Sequence, residues 1–276
     1  MPVKFAERHF ADRVIAGLQR GADILLHAVE TVGRYLAIRR NADEVTAGKR
    51  LFQDLGLAER LVDLKGGALP PHWDDLSTLY RLVLAKKPGL VLEYGSGCST
   101  VVIAAALQAL EKSGHSATMV SIESNPHWRD HTAGKLGPDL SRFVDLRYML
   151  PATEISWGEV RPRRRQFVWY PGDPRPLRMG VLTLAYPELE NMVPDFIYLD
   201  GPAPDDAQGY RATNGRSLPA IVTDPLKMEA RLKPGCTILV DGRQPNSMFL
   251  AGNFQRMWRA TPDAGQNNTV FELLPG

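Results

Sequence analysis

The stretch Glu93-Tyr94-Gly95-Ser96-Gly97-Cys98-Ser99-Thr100 carries the plainest chemical purpose in this 276-residue chain. An apolar run from Leu90 ends in an acid, passes two glycines and opens directly into the helix-forming run Val101 to Leu110. Glycines let the backbone pass close to a ligand, and the free amides at a helix start attract polar or anionic groups. One strand and one helix later, Ser121-Ile122-Glu123-Ser124-Asn125 ends a second β-rich run in Glu123, where a carboxylate can accept hydrogen bonds from both hydroxyls of a ribose. That pairing points to a nucleoside-bearing cofactor. The third glycine of GxGxxG is missing, with Thr100 in its place, and the interval to Glu123 exceeds the usual dinucleotide spacing, which disfavours nicotinamide hydride chemistry.

Two further acids close β-rich runs. Asp200 ends the run that starts at Asp195, and Asp241 ends the run Thr237 to Val240. The carboxyl ends of strands in an open α/β sheet are where ligands bind, so both are candidates for proton transfer or acceptor positioning. The bland alternative for Asp200 is a cap on the following turn. Arg243 suits a carboxylate or phosphate on an acceptor. Several weaker constellations read as structure rather than chemistry. His127 and His131 lack a clear third metal ligand and read as a solvated helix face; Cys98 reads as packing; Ser96 does not sit in GxSxG, so an esterase has no support. His72 and Trp73 are read either as a cover on the cofactor or as packing.

These residues need elements to position them. β-rich runs at Leu90 to Tyr94, Thr118 to Ile122, Phe143 to Tyr148, Phe196 to Leu199 and Thr237 to Val240 alternate with helical stretches at Thr100 to Glu111, His127 to Lys135, Leu218 to Leu232 and Ser247 to Met257. Such alternation predicts a doubly wound α/β fold with a mainly parallel, Rossmann-like sheet. Arg256 to Ala260 and Thr269 to Leu273, across an Asp263 turn, predict a closing antiparallel strand pair. Asp74 and Asp75 are read as caps of a helix that Lys87-Pro88-Gly89 ends. Ahead of it, Phe5 to Leu64 has helical spacing, as in Ile24, Leu25, Val29, Val32 and Leu36, and the glycine- and proline-rich Gly66 to Pro71 marks a boundary. The expected organisation is a helical extension over 1–68 and a Rossmann-like domain over 69–276, with an inserted flap at about 151–194. The flap carries Arg161, Arg163, Arg164 and Arg165 beside Phe167, Trp169 and Tyr170, a set that could grip a phosphate backbone or an acidic glycan, or be a solvated hairpin.

Composition sets the outer bounds. Hydrophobic residues at 44% and charged residues at 23% exclude a disordered or fibrous chain. A formal charge of +2 gives no argument for a nucleic-acid or membrane partner. Two cysteines, Cys98 and Cys236, make no disulfide framework, and no secretory signal or membrane span is read, so a cytoplasmic location is expected.

The acid-x-Gly-x-Gly turn, the acid ending the second run, the Asp195 to Pro202 segment and the Lys233-Pro234-Gly235 turn together resemble class I S-adenosylmethionine-dependent methyltransferases. The resemblance covers roughly Trp73 to Leu274 and departs at Cys236, where a second glycine is usual. It implies S-adenosylmethionine as cofactor, with Glu93, Gly95 and Gly97 shaping the turn and contacting the methionine part. Tyr94, Ser96, Ser99 and Thr100 complete that loop, Glu123 holds the ribose, Ser124 and Asn125 sit near the adenine, and Asp200 faces the methyl donor. Glu154 is the candidate for an adenine-binding acid. Asp200 and Asp241 also resemble the acids of metal-dependent O-methyltransferases, but Gly242-Arg243 follows where an amide is usual, and no metal is expected. The resulting expectation is a methyltransferase acting on a hydroxyl of a small molecule or saccharide. The alternatives are an RNA or nucleotide methyltransferase and a non-catalytic cofactor-binding protein; a homodimer is open. An aminopropyl transferase is disfavoured because no cluster of carboxylates is visible along the chain.

Overall fold

The computed structural model describes residues 42–62, 70–160, 177–204, 219–263 and 266–276. The apolar spacing between Ile24 and Leu36, residues 66–69 of the expected boundary, and the arginine cluster with Phe167, Trp169 and Tyr170 lie outside the described residues.

In chain order come α1 (42–54), α2 (Ala58–Leu61), α3 (Trp73–Lys86), β1 (Leu90–Tyr94), α4 (Cys98–Lys112), β2 (Thr118–Glu123), α5 (Pro126–Ser141) and β3 (Val144–Tyr148). They are followed by β4 (Ala152–Val160), β5 (Leu177–Ala185), β6 (Phe196–Leu199), α6 (Asp224–Met228), β7 (Thr237–Asp241), α7 (Gln244–Asn253), β8 (Trp258–Asp263) and β9 (Asn268–Leu273). One seven-stranded sheet runs in the order β3-β2-β1-β6-β7-β9-β8. The first five of these strands are parallel, and β9 and β8 add the expected antiparallel pair at the end.

Successive residues of the central strands point to opposite faces, as the period of two requires. Val91, Phe196 and Tyr198 enter a core shared with α3, α4 and α5. Leu92, Tyr94, Ile197 and Leu199 enter the core on the other face, with Leu184, Tyr186, Met228 and Leu250. Burial on both sides explains why these runs are apolar throughout rather than alternating. Phe52, Leu57 and Leu61 from the expected N-terminal extension belong to the first of these cores.

The expected flap is in part a two-stranded antiparallel hairpin, β4 with β5, in register from Ala152↔Ala185 to Val160↔Leu177. Three local expectations are corrected. The helix expected from Leu218 begins only at Asp224, because residues 221–223 form long-range backbone bonds: Leu184 N–H donates to Ile221 O, Thr223 N–H to Leu184 O, and Asn246 pairs with both backbone groups of Val222. The last helix covers Gln244–Asn253 rather than Ser247 to Met257, with Pro245 in its first turn. Asp74 and Asp75 do not cap α3; His72 holds the cap position and both acids lie in the first turn.

The strand order reverses between β1 and β6, so the connections after those strands diverge and leave a crevice at their carboxyl ends. Among the described residues no helix is long and apolar enough to cross a membrane.

Candidate functional site

Two loops meet backbone to backbone at the crevice. Gly95 has φ +87°, and a Cβ there would lie 2.7 Å from the Cα of Gly201; a Cβ on Gly201 would lie 2.4 Å from the Cα of Gly95. Only glycine fits either position. Tyr94 O accepts the N–H groups of Asp200 at 3.1 Å and Gly201 at 2.5 Å, tying the loop after β6 to the end of β1.

The turn is fixed from below by Glu93. Its Oε2 accepts Thr100 Oγ1 at 2.7 Å and Ser121 Oγ at 2.6 Å, and Thr100 Oγ1 in turn accepts the Gly97 N–H at 2.9 Å. Burial pushes the Glu93 carboxyl up to about 7, against the lowering effect of its Ser121, Thr100 and Ser99 hydrogen bonds. Glu93 is fully buried and does not line the cavity, so in this structure it shapes the turn from beneath. Tyr94 and Thr100 are likewise fully buried, Tyr94 on the opposite face of the sheet against Tyr186.

Glu123 is held from three sides. Oε2 accepts the Ser96 N–H at 2.8 Å and Ser96 Oγ at 3.1 Å, and Oε1 accepts the Asn125 N–H at 2.9 Å. A carboxylate offers about four acceptor directions, which leaves Oε1 room for one more donor. Asn125 caps α5 by accepting the His127 N–H at 3.0 Å, and neither it nor Ser124 lines the cavity.

The cavity holds about 400 Å³ and is walled on one side by Gly95, Ser96, Gly97, Ser99 and Glu123. α5 contributes Trp128, His131, Thr132 and Lys135, which sequence reasoning did not place here. Their offsets of three, four and seven put them on one helix face, and an aromatic and polar stripe directly after Glu123 was the signal available. Trp128 meets His131 edge to face at 5.6 Å. Of the two histidines read as a solvated face, His131 lines the cavity and His127 does not. Cys98 also lines it, beside Lys135 Nζ at 3.9 Å.

The opposite wall is acidic. Asp200 and Asp241 line it as expected, and Asp75, read from sequence as a helix cap, joins them. Asp200 is open to the crevice but recessed in protein; lost hydration and then the Asp241 charge push its carboxyl up to about 7, with Arg243 acting in the other direction. Asp241 is raised by burial and accepts the buried Tyr198 hydroxyl at 2.6 Å, a bond that works against the rise. Asp75 is pushed up to about 7 by burial and by the surrounding acids, Asp241 first. His72 lines the cavity, whereas Trp73 packs against Phe52.

Arg243 and Glu154 depart from their expected places. The Arg243 guanidinium donates to the backbone carbonyls of Asp200 and, at 2.7 Å, Pro202, so it braces the loop after β6 and does not line the cavity. Glu154 sits on β4, bonded to Lys227 Nζ at 2.7 Å and Thr223 Oγ1 at 2.9 Å, beside a separate cavity lined by Trp157, Lys227 and Phe249. Among the described residues, the grouping of metal-ligand types with all donor atoms within 4.8 Å is His72, Asp74 and Asp75, without Asp200 or Asp241.

No family model matches this sequence, and no curated protein matches it. Solved structures do. One is a methyltransferase from Geobacter sulfurreducens, at 16% identity over 89% of this chain and 98% of that one, with a TM-score of 0.45. Another is an O-methyltransferase from Streptomyces achromogenes involved in tomaymycin synthesis, in complex with SAM, at 13% identity over 87% and 96%, with a TM-score of 0.43. A third is an SAH-bound methyltransferase from Podospora anserina, at 14% identity over 89% and 96%, with a TM-score of 0.46.

Proposed function

We propose that this chain is an S-adenosylmethionine-dependent methyltransferase acting on a hydroxyl of a small molecule or saccharide. The observation that carries the reading is the junction of Glu123, ending β2, with Ser96 of the Gly95–Gly97 turn at the switch point of the sheet. The cradle is open, since no atom beyond its own neighbouring backbone lies within 4 Å of where a Cβ of Gly97 would stand. Ser96, Gly97, Ser99 and Glu123 are the lining residues that would hold the cofactor, with Trp128 and Thr132 on the facing helix. S-adenosylmethionine supplies an electrophilic methyl carbon whose bond to sulfur breaks with its electron pair.

The protein's own work is positioning and proton removal. An acceptor hydroxyl between Asp200 and Asp241 gives up its proton as its oxygen gains the methyl group. Asp200, with its carboxyl near 7, is matched to receive that proton at neutral pH, and Tyr198 fixes the orientation of Asp241. Arg243, by gripping the Asp200 carbonyl, keeps the loop that carries the base in place. Two cysteines that remain free thiols fit a cytoplasmic setting. The nucleic-acid reading depends on the arginine cluster outside the described residues, and no described feature favours it.

Calorimetric titration with S-adenosylmethionine and S-adenosylhomocysteine, with and without magnesium, tests the reading. Micromolar binding of both is expected; binding of neither overturns it. Once an acceptor is in hand, the rate should rise with pH through about 7, as Asp200 loses its proton, and Asp200→Asn should remove that limb.

A further inference from the structure

We infer that the chain carries a second ligand site, for a neutral saccharide, in the cavity between the β4–β5 hairpin and α7. The inference goes beyond the methyltransferase reading and stands or falls without it. The cavity holds about 540 Å³, within the range of about 300 to 1,000 Å³ usual for small-molecule sites. It is separate from the crevice, and the two cavities share no lining residue. Asp241 stands just ahead of α7, whereas this cavity takes Gly252 and Asn253 from the last turn of that helix. Ten helical residues rise about 15 Å, which sets the distance along α7 between the two sites.

Trp157 forms the lip of the cavity. It is 71% exposed, the most exposed large apolar side chain among the described residues. The ring is nevertheless held in place. It stands opposite Gly180 in the hairpin register, where a Cβ would lie 3.6 Å from its Cε2 and Cζ2. The next residue, Gly158, is pressed onto α7, since a Cβ there would lie 2.5 Å from Asn253 Oδ1 and 2.9 Å from Phe249 Cζ. The hairpin therefore presents an indole at the cavity instead of burying it, which suits a ligand with an apolar face. The rest of the lining is largely polar and its charge is matched. Lys227 Nζ is bonded to Glu154 Oε2 at 2.7 Å, with Glu190 Oε1 at 4.0 Å, so an anionic ligand would find that cation already engaged. Ser156, Thr223, Asn253 and Gln255 bring hydroxyls and amides, which both donate and accept. A sugar ring answers both features, with hydroxyls around its rim and C–H faces that stack on an aromatic ring. A purely apolar ligand would strand the polar groups.

The test titrates the full chain with maltotriose, cellotriose and chitotriose, followed by saturation-transfer NMR and calorimetry, with trigalacturonate and adenosine as competitors. At least one of the three neutral trisaccharides should bind with a Kd of about 1 mM or tighter. Trp157→Ala should weaken that binding at least about tenfold, and Gln255→Ala about threefold, as the loss of one neutral hydrogen bond implies. Both side chains are exposed, so both variants should fold and keep the parent's melting temperature. No binding of any of the three, binding that survives Trp157→Ala, or displacement of a bound trisaccharide by an equal concentration of trigalacturonate or adenosine overturns the inference.

Discussion

The two ends of the cavity each present carboxylates, and Glu123 at one end is bonded far more fully by its own protein than Asp241 at the other. At the glycine-turn end, Glu123 is given three protein donors, from Ser96 and Asn125, whereas Glu93 beneath it takes two hydroxyls on Oε2 and leaves Oε1 buried without a donor, away from the cavity. At the other end, Asp241 takes one hydroxyl from Tyr198, and Asp75 leaves an oxygen with no donor. A carboxylate saturated by its own protein is a strut that holds a loop; one that faces the cavity with few donors can meet a ligand. Residue type alone does not separate the two roles; donors and a face on the cavity together do, since Glu93 also leaves an oxygen unbonded but does not line the cavity.

The joint between the ends should be the most sensitive position. Gly201→Ala drives a Cβ to within 2.4 Å of the Gly95 backbone, where nothing flexible can yield. A loss of about 3 kcal/mol, seen as a Tm drop of roughly 10 °C by calorimetry, is expected. A tolerated substitution would show that the two loops do not depend on each other. Glu123→Ala should come next. It strands the Ser96 and Asn125 N–H groups as well as removing the proposed ribose contact, so S-adenosylhomocysteine affinity should fall by roughly 30-fold, or about 2 kcal/mol, in a binding titration. Unchanged affinity would make Glu123 a strut alone.

The smallest effect, and opposite in sign, is expected for Asp75→Asn. A carboxyl whose folded-state value is raised from 3.8 to about 7 binds its proton more tightly in the folded protein. Stability is therefore lost as pH rises through that window, and the loss is complete above 7. The neutral amide avoids it, so at pH 8 the variant should melt a few degrees above the parent, with the difference vanishing near pH 4. A lower melting temperature at pH 8 would mean that Asp75 is already satisfied.

Much of the glycine-turn end was legible along the chain because its parts are contiguous. Leu90–Tyr94 and Phe196–Leu199 fall where their apolar runs predict, since central parallel strands are apolar from end to end. Glu93 and Ser96 lie within the turn they build, and Glu123 is marked by its place at the end of the next strand. The acidic wall draws Asp75, Asp200 and Asp241 from three distant elements, and Asp75 carries the local signature of a helix start, which masked its place in the cavity. Arg243 and Glu154 were misplaced for a related reason. An arginine or glutamate near a strand end looks the same whether it faces a ligand or, as here, a backbone carbonyl or a lysine on a distant helix. The start of α6 at Asp224 was equally hidden, because the bonds that hold residues 221–223 extended come from Leu184 and Asn246.

The contact between Gly95 and Gly201 ties what happens at one end of the cavity to the other. One loop carries the proposed cofactor turn and the other carries Asp200, and neither can shift without its neighbour. Thermodynamic linkage then fixes a symmetry: whatever factor cofactor occupancy adds to acceptor affinity, acceptor occupancy must return to the cofactor. A chain built this way is expected to bind its two ligands cooperatively rather than as independent tenants of one cavity.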